Sequence, residues 1–210
     1  MATVLSPPEE RIILHDVSWE TYESLLADHQ DRSAPRFTYD QGVLEIMIPS
    51  SEHEEISDLI KQMVYTLSGE MNLDIRGFGS TTFRREDIKR GFEPDACFYI
   101  QSVERIRGVT KLDLVTHPPP DLVVEIDITH PSLDKLPIYA PARVPEVWRY
   151  DGEKLTILLL LGERYVEAEG SSSIPRVTGN IISRFLEERQ SRTLSDWQNL
   201  LREWARSASG

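Results

Sequence analysis

The spacing of apolar residues along the chain predicts a series of helices. The longest covers residues 52–70, where apolar side chains recur every three or four positions, at Ile56, Ile60, Met63, Val64 and Leu67. This spacing places them on one helical face, and Ser50 or Ser51 can cap the helix start. Shorter helices are expected after Ser18 and over residues 132–140, 179–190 and 194–206.

Runs of β-branched and aromatic residues between these helices predict strands. Residues 36–39 and 43–48 flank Asp40-Gln41-Gly42 and predict a hairpin, because glycine adopts the positive φ of a tight turn at no steric cost. Further strands are expected within 72–99, over 121–128, and in an antiparallel run at 146–150, 154–161 and 165–168. The alternation of strands and helices predicts a mixed α/β fold around one central sheet.

Length and composition agree with a single globular domain. The chain has 210 residues, of which 40% are hydrophobic and 28% charged, so it is not mainly disordered. We expect one domain over residues 1–210, with a loose N-terminal arm at about 1–12 and a C-terminal helical tail at about 179–206. No apolar run approaches the ~20 residues of a membrane span, and the N-terminus lacks a signal-peptide pattern. The single cysteine, Cys97, excludes an internal disulfide and fits a cytoplasmic protein.

Residues 121–128 carry the most informative acidic side chains. Because side chains alternate along a strand, Glu125 and Asp127 project from the same face of this apolar segment. Burying an ionised carboxylate costs roughly several kcal/mol unless an opposite charge compensates for the lost hydration. A bound cation is one common source of that charge. The alternative is a carboxylate that is hydrogen-bonded or paired with an arginine.

Two further residues belong with this strand. Asp95 follows Pro94 at the start of an apolar segment, so it is expected early in a strand, out of phase with Ala96 and Phe98. Lys135 falls in the first turn of the helix predicted at 132–140, where the helix dipole disfavours a cation. A neighbouring pair of carboxylates would explain a cation at this position, because it would pair with the ammonium of Lys135. The alternative is that Lys135 is solvated.

These segments together resemble a known family. Glu93-Pro94-Asp95, Glu125-Ile126-Asp127, residues 134–140 and residues 144–148 are similar, in order and over nearly the whole chain, to an uncharacterised endonuclease family of the restriction-endonuclease-like superfamily. That superfamily carries the PD-(D/E)xK signature. The resemblance implies a central mixed β-sheet flanked by helices, and hydrolysis of DNA by metal-activated water.

The resemblance also implies roles for individual residues. Asp95 and Glu125 would hold Mg²⁺, with Mn²⁺ as a substitute. The signature places its lysine two positions after the acidic residue, but here that position is Asp127. Lys135, on the following helix, is expected to take the role of the lysine. Asp127 would then be either a further metal ligand or a partner of Lys135.

The long helix supplies two possible accessory residues. His53 falls on the inward face with Ile56 and Ile60, and Glu52 lies one turn before Ile56. Superfamily members often supply an acid from this helix. A capping or core histidine bonded to a backbone carbonyl is the alternative for His53. Tyr139, four residues after Lys135, is expected to serve packing rather than chemistry.

Charge is the main objection to a DNA substrate, because the chain carries a formal net charge of -12. The acidity is concentrated in residues 1–60, which hold 13 acidic and three basic side chains. Four basic residues lie close to the Asp95 strand and are candidate DNA contacts: Arg84, Arg85, Lys89 and Arg90. The alternative interpretation is that these four residues lie in a solvated loop, where Glu86 and Asp87 cancel half of their positive charge.

Two classes of function follow from these residues. The first is a Mg²⁺-dependent endodeoxyribonuclease acting at Asp95, Glu125 and Lys135. The second is a catalytically silent nuclease-like module that binds a partner or regulates. A homodimer is expected by analogy, with the apolar segment 155–161 as a candidate exposed surface.

Overall fold

The computed structural model describes residues 9–29, 32–128 and 133–209. These residues form eleven strands, five α-helices and two short 3₁₀ turns, in two sheets. The strands are β1 (Glu10–Leu14), β2 (Arg36–Asp40), β3 (Val43–Ile48), β4 (Arg76–Gly77), β5 (Phe83–Arg85), β6 (Arg90–Phe92), β7 (Ala96–Tyr99), β8 (Leu122–Ile126), β9 (Glu146–Tyr150), β10 (Leu155–Leu161) and β11 (Arg164–Ala168). The helices are α1 (Trp19–Asp28), α2 (Ser51–Glu70), α3 (Leu136–Tyr139), α4 (Gly179–Arg189) and α5 (Leu194–Ser209).

The larger sheet has six strands in the order β11-β10-β9-β8-β7-β4. β8 and β9 run parallel, joined through α3, while the other neighbouring pairs are antiparallel. One face packs on α2, α4 and α5 through a core that includes Ala96, Phe98, Val124 and Ile126. Side chains of opposite phase, including Cys97 and Val123, form a second core on the other face. The larger sheet is therefore mixed and flanked by helices, as predicted.

The smaller sheet has five antiparallel strands in the order β1-β3-β2-β6-β5. Helix α1 packs on it through an aromatic cluster in which Tyr22 stacks on Tyr39 with ring centroids 4.9 Å apart. Gly91 is required in β6, because a Cβ there would collide with the Tyr22 hydroxyl. Local patterns predicted β2 and β3 and further strands within 72–99, but neither β1 nor the separation of this sheet from the larger one. The expectation of one sheet was therefore wrong.

Two further expectations need correction. Within the predicted loose arm at 1–12, residues 1–8 lie outside the described part, and Glu10–Leu14 form β1, paired antiparallel with β3. The helix predicted at 132–140 is a single turn, Leu136–Tyr139, with Pro137 near its start; residues 129–132 lie outside the described part. The helical tail is confirmed as α4 and α5. No helix within the described ranges is both long and apolar enough to cross a membrane.

Candidate active site

Asp95 and Glu125 lie opposite each other where β7 and β8 meet. Ala96 pairs with Val124, and the Asp95 backbone N–H donates to the Val124 carbonyl at 3.2 Å, which extends the register by one residue. Because Ala96, Val124 and their alternating neighbours point into the helical core, the two carboxylates lie on the other face. The strand period predicted the face of each carboxylate, whereas only the family resemblance implied that the two lie together.

Cationic and backbone donors hold the carboxylate of Asp95, which is 1% exposed. Its Oδ1 accepts from His53 Nε2 at 2.7 Å and from the guanidinium of Arg36, and its Oδ2 accepts from the Ile126 N–H at 2.7 Å. Burial alone would raise the pKa of Asp95, but His53, Lys135 and Arg36 outweigh burial and lower the pKa to about 2. Asp95 is therefore ionised at neutral pH.

His53 links Asp95 to the N-terminal strand region. It lies in the first turn of α2, is fully buried, and contacts Glu9 Oε2 through Nδ1 at 2.7 Å. Burial lowers the pKa of His53, but the hydrogen bonds to Asp95 and Glu9 raise it to about 9, so both ring nitrogens are donors at neutral pH. The predicted inward placement is confirmed, while the alternative of a bond to a backbone carbonyl is wrong.

Glu125 is held by two donors from the segment that follows β8. Lys135 Nζ donates to Oε2 at 2.6 Å, and the Tyr139 hydroxyl donates to Oε1. Burial and the charge of Asp95 raise the pKa of Glu125 to about 7, although Lys135 acts in the opposite direction. Burial lowers the pKa of Lys135, but Glu125 and Asp95 outweigh it and hold that pKa above the usual lysine value. Lys135 is therefore a permanent cation at this site, brought there by the turn before α3.

Asp127 follows β8 and faces a different cation. Its Oδ1 lies 3.6 Å from Arg11 Nη2, and its side chain is 24% exposed. Arg11, on β1, also contacts Glu9 and Glu45. Asp127 thus pairs with Arg11 while Lys135 donates to Glu125, and a role of Asp127 as a further metal ligand stays a prediction.

Other predicted accessory residues lie elsewhere. Glu52 is exposed at the start of α2, because the helix turns His53 and Ser57 inward instead, so its accessory role is not supported. Three residues that the sequence did not assign contact the site: Arg36, Glu9 and Tyr139. Arg36 begins β2, whose sequence Arg-Phe-Thr-Tyr-Asp gave no signal that this arginine is buried. Tyr139 was expected to serve packing alone.

The four basic residues proposed as DNA contacts all have acidic partners. The pairs are Arg84 with Glu23, Arg85 with Asp87, Lys89 with Glu86, and Arg90 with Asp40. The Arg84 and Lys89 side chains are 47% and 46% exposed, whereas Arg90 is 18% exposed. Intramolecular ion pairs therefore offset much of the positive charge of this cluster, as its alternative interpretation anticipated.

A cleft of about 1060 Å³ is lined by residues of α1, β2 and β5 and by Glu93, but not by Asp95 or Glu125. Its walls include Phe37, Thr82, Arg84 and Glu93. The Glu93 carboxylate, two residues before Asp95, accepts from the Phe37 N–H and the Thr82 hydroxyl. Glu93 is thus the lining residue of the cleft that lies nearest to Asp95 in the sequence.

The donor chemistry of the site fits a hard divalent cation. Within the described ranges, no cluster of three or more His, Cys, Asp or Glu side chains has metal-binding geometry. Mg²⁺, however, keeps several waters and substrate oxygens and needs only one or two protein carboxylates. Asp95 and Glu125 supply two, each now compensated by a protein cation, Arg36 or Lys135. A metal ion would bind by replacing part of that compensation.

A family model described as "Putative restriction endonuclease" (Uma2) matches residues 19–194 of the chain. This match covers more than half of the sequence. The chain belongs to the Uma2 family. Membership confirms the resemblance noted in the sequence, and the matched region contains Asp95, Glu125 and Lys135.

The fold of this Uma2 member is similar to that of a protein whose structure has been solved. The solved structure is the crystal structure of a "putative nuclease belonging to DUF820" from Anabaena variabilis, with a TM-score of 0.54 and 14% sequence identity. The alignment covers 80% of this chain and 98% of that chain. At this identity the similarity shows the fold alone, and it confirms the predicted restriction-endonuclease-like architecture. No curated protein matches the chain.

Proposed function

We propose that this Uma2 protein is a Mg²⁺-dependent endonuclease that hydrolyses phosphodiester bonds in DNA. The observation that carries the proposal is the pairing of Asp95 and Glu125 across β7 and β8, with the buried ammonium of Lys135 on Glu125. Family membership supports a nuclease, and the β7–β8 register together with the Lys135–Glu125 hydrogen bond supports a joint role for these three residues. Mn²⁺ is a suitable substitute, because it also prefers carboxylate oxygens.

Asp95 and Glu125 would hold the metal ion. When bound, the ion supplies Lewis-acid activation of the phosphate and of a water molecule. In hydrolysis the water oxygen bonds to phosphorus and releases a proton, one bridging P–O bond breaks, and the leaving oxygen takes up a proton. The remaining roles belong to side chains of the protein.

Lys135 acts by charge rather than as a base. Because its pKa is raised, its ammonium keeps its proton at neutral pH and would stabilise negative charge that develops on the phosphate oxygens. His53 and Arg36 hold Asp95 in its ionised form and fix its orientation. Glu125, with a pKa of about 7, is the one carboxyl group of the pair whose ionisation changes near neutral pH.

The cleft beside Glu93 offers a path for a DNA strand. Arg84 lines this cleft, and Arg85, Lys89 and Arg90 lie on the same β5–β6 hairpin region. Since all four side chains have acidic partners, DNA binding would exchange the ion pairs of the two more exposed members, Arg84 and Lys89, for phosphate contacts. We therefore propose weak bulk affinity that depends strongly on salt.

A catalytically silent interaction module is the second candidate function. The observation in its favour is that the carboxylates of Asp95 and Glu125 are buried and engaged with protein donors on both oxygens. In this candidate, the nuclease fold would serve partner binding.

We also propose a homodimer and a cytoplasmic location. The apolar segment 155–161 is less exposed than its sequence suggested, because Leu155, Ile157 and Leu158 are buried within the chain. Leu161 and Val166, at 64% and 42% exposure on β10 and β11, are the apolar surface that supports a dimer. The single cysteine, Cys97, is buried and suits a reducing compartment.

A cleavage assay separates the two candidate functions. Purified protein is incubated with supercoiled and single-stranded DNA in Mg²⁺, Mn²⁺ or EDTA, beside Asp95→Asn. Asp121→Asn is the matched control, because Asp121 is also buried but accepts from Ile100 and Ser102, away from the proposed metal ligands.

The nuclease proposal expects metal-dependent cleavage that Asp95→Asn abolishes and Asp121→Asn retains. Cleavage at equal rates by wild type and Asp95→Asn would contradict it. If folded wild-type protein cleaves DNA in neither Mg²⁺ nor Mn²⁺, the result would support the interaction module.

A further inference from the structure

The carboxylate of Glu125 is held at both oxygens by one short segment of the chain. Lys135 donates to Oε2 and Tyr139 donates to Oε1, and these donors are four residues apart. Residues at this spacing lie on one side of a helical turn. The Tyr139 N–H also donates to the Lys135 carbonyl at 2.9 Å, so the backbone ties the two donors together.

The two donors differ in rigidity. Lys135 reaches Glu125 through a flexible four-carbon stem, which can follow the carboxylate if the latter rotates. The Tyr139 ring is fully buried and meets Phe92 edge to face, with centroids 4.8 Å apart and an interplanar angle of 86°. Phe92 in turn stacks on Phe83 at 5.2 Å. The tyrosine hydroxyl is therefore fixed by packing.

We propose that Tyr139 is a positioning residue for the candidate metal site. Its hydroxyl fixes Oε1 of Glu125 and thereby sets the rotation of the carboxylate that faces Asp95. A carboxylate oxygen has two lone pairs, so Oε1 can accept from Tyr139 and still coordinate a metal ion. This inference rests on the proposed function, because it assigns Tyr139 a role toward the metal ion that Glu125 would hold.

Metal affinity in the full-length protein tests this role. Mn²⁺ binding is measured by isothermal titration calorimetry in wild type, Tyr139→Phe and Tyr165→Phe. Tyr165 is the matched control, because it packs in the same core and its hydroxyl donates to the Val144 carbonyl at 2.7 Å, outside the site. We expect Tyr139→Phe to weaken Mn²⁺ binding roughly 10–100-fold, the usual effect of removing a partner of a metal ligand. Tyr165→Phe should leave the affinity unchanged.

A rescue variant separates positioning from folding. Replacing Tyr139 with para-aminophenylalanine keeps a donor at the same place on the ring and should restore most of the Mn²⁺ affinity. This comparison remains informative if Tyr139→Phe lowers the thermal stability. Failure of the donor-bearing variant to bind better than Tyr139→Phe would contradict the role.

The outcomes distinguish this inference from the proposed function. Absence of Mn²⁺ binding in wild type, or binding that survives Asp95→Ala, would contradict the metal site itself and the role of Tyr139 with it. Asp95-dependent binding that is equally tight in Tyr139→Phe and Tyr165→Phe would contradict the role of Tyr139 alone.

Discussion

The ammonium nitrogen of Lys135 lies 2.6 Å from Oε2 of Glu125, and both side chains are almost completely enclosed by protein. Neither ion is solvated well enough to remain charged without the other. Removing one partner of such a pair is costly because the remaining group is left buried and uncompensated, whereas replacing both with neutral groups costs much less. The ion pair between Lys135 and Glu125 should therefore be detectable in the free energy of unfolding of single and double variants.

We expect Lys135→Met to lower the free energy of unfolding by roughly 3–5 kcal/mol. The double variant Lys135→Met/Glu125→Gln should recover most of this loss, because it removes both charges. Urea unfolding at pH 8 measures the free energy of unfolding of the wild type, both single variants and the double variant. Lys154→Met serves as the control, since Lys154 makes an exposed ion pair with Glu167. A Lys135→Met protein as stable as Lys154→Met would show that the buried pair does not form.

The histidine between Glu9 and Asp95 predicts how stability changes with pH. The pKa of His53 is about 9 in the folded protein, against about 6.5 for a solvated histidine in the unfolded chain. The stabilisation from the bound proton is fully present below pH 6.5 and is lost as the pH rises through 9. We expect the free energy of unfolding to fall over this window by a few kcal/mol, on the order of 3.

Chemical denaturation at pH 7, 8 and 9.5 checks this slope in wild type and His53→Gln. Glu125, whose raised pKa is about 7, contributes mainly below this window. The variant should show a flatter dependence on pH. Equal slopes in the two proteins would contradict the double hydrogen bond of His53.

Strand β1 is attached by backbone pairing with β3 and by the charged side chains of Glu9 and Arg11. It lies at the edge of its sheet, and Ile12, Ile13 and Leu14 are all more than 40% exposed, so apolar burial contributes little. Glu9 anchors it to His53, a charge-assisted hydrogen bond of the kind that contributes roughly 1.5–3 kcal/mol. We expect Glu9→Gln to increase amide hydrogen exchange in β1 by about tenfold or more. Glu10→Gln, at an exposed neighbouring position, should leave exchange unchanged; equal effects would refute the anchor.

The basic cluster predicts a graded dependence of DNA binding on salt. Arg84 and Lys89 are the more exposed members, and Arg90 is the most enclosed. We expect Arg84→Ala and Lys89→Ala each to reduce the slope of log affinity against log salt by about 0.9, the value for one phosphate contact with duplex DNA. Arg90→Ala should not change the slope. Fluorescence anisotropy measures the DNA affinity of the wild type and the three variants over a range of salt concentrations, in EDTA to prevent cleavage. Slopes identical to that of the wild type in all three variants would exclude the cluster from the DNA interface.

Much of the candidate site could be predicted because it depends on local rules. The period of two along a strand placed Asp95 and Glu125 on the face opposite to Ala96 and Val124, and the structure confirms that placement. The helical period placed His53 inward in α2. Family resemblance added Lys135, which no local rule could have joined to Glu125.

The partners across long sequence distances could not be predicted. Glu9 reaches His53 over 44 residues, and Arg36 reaches Asp95 over 59. These contacts depend on how two sheets are arranged, which apolar periodicity does not encode. The same limit explains β1, whose exposed apolar residues gave no periodic signal, and Tyr139, whose burial was predicted but whose hydrogen bond to Glu125 was not.

The central claim is that Glu125 belongs to a metal-dependent catalytic site. The most direct test compares single-turnover cleavage of supercoiled DNA in Mg²⁺ by Glu125→Gln and Glu146→Gln. Glu146 is equally buried, but it accepts from Trp148, Ser172 and Ser173 in a separate structural network. The account predicts that Glu125→Gln cleaves no faster than wild type in EDTA, while Glu146→Gln, once shown to be folded, retains metal-dependent cleavage. Wild-type cleavage rates in Glu125→Gln would contradict it.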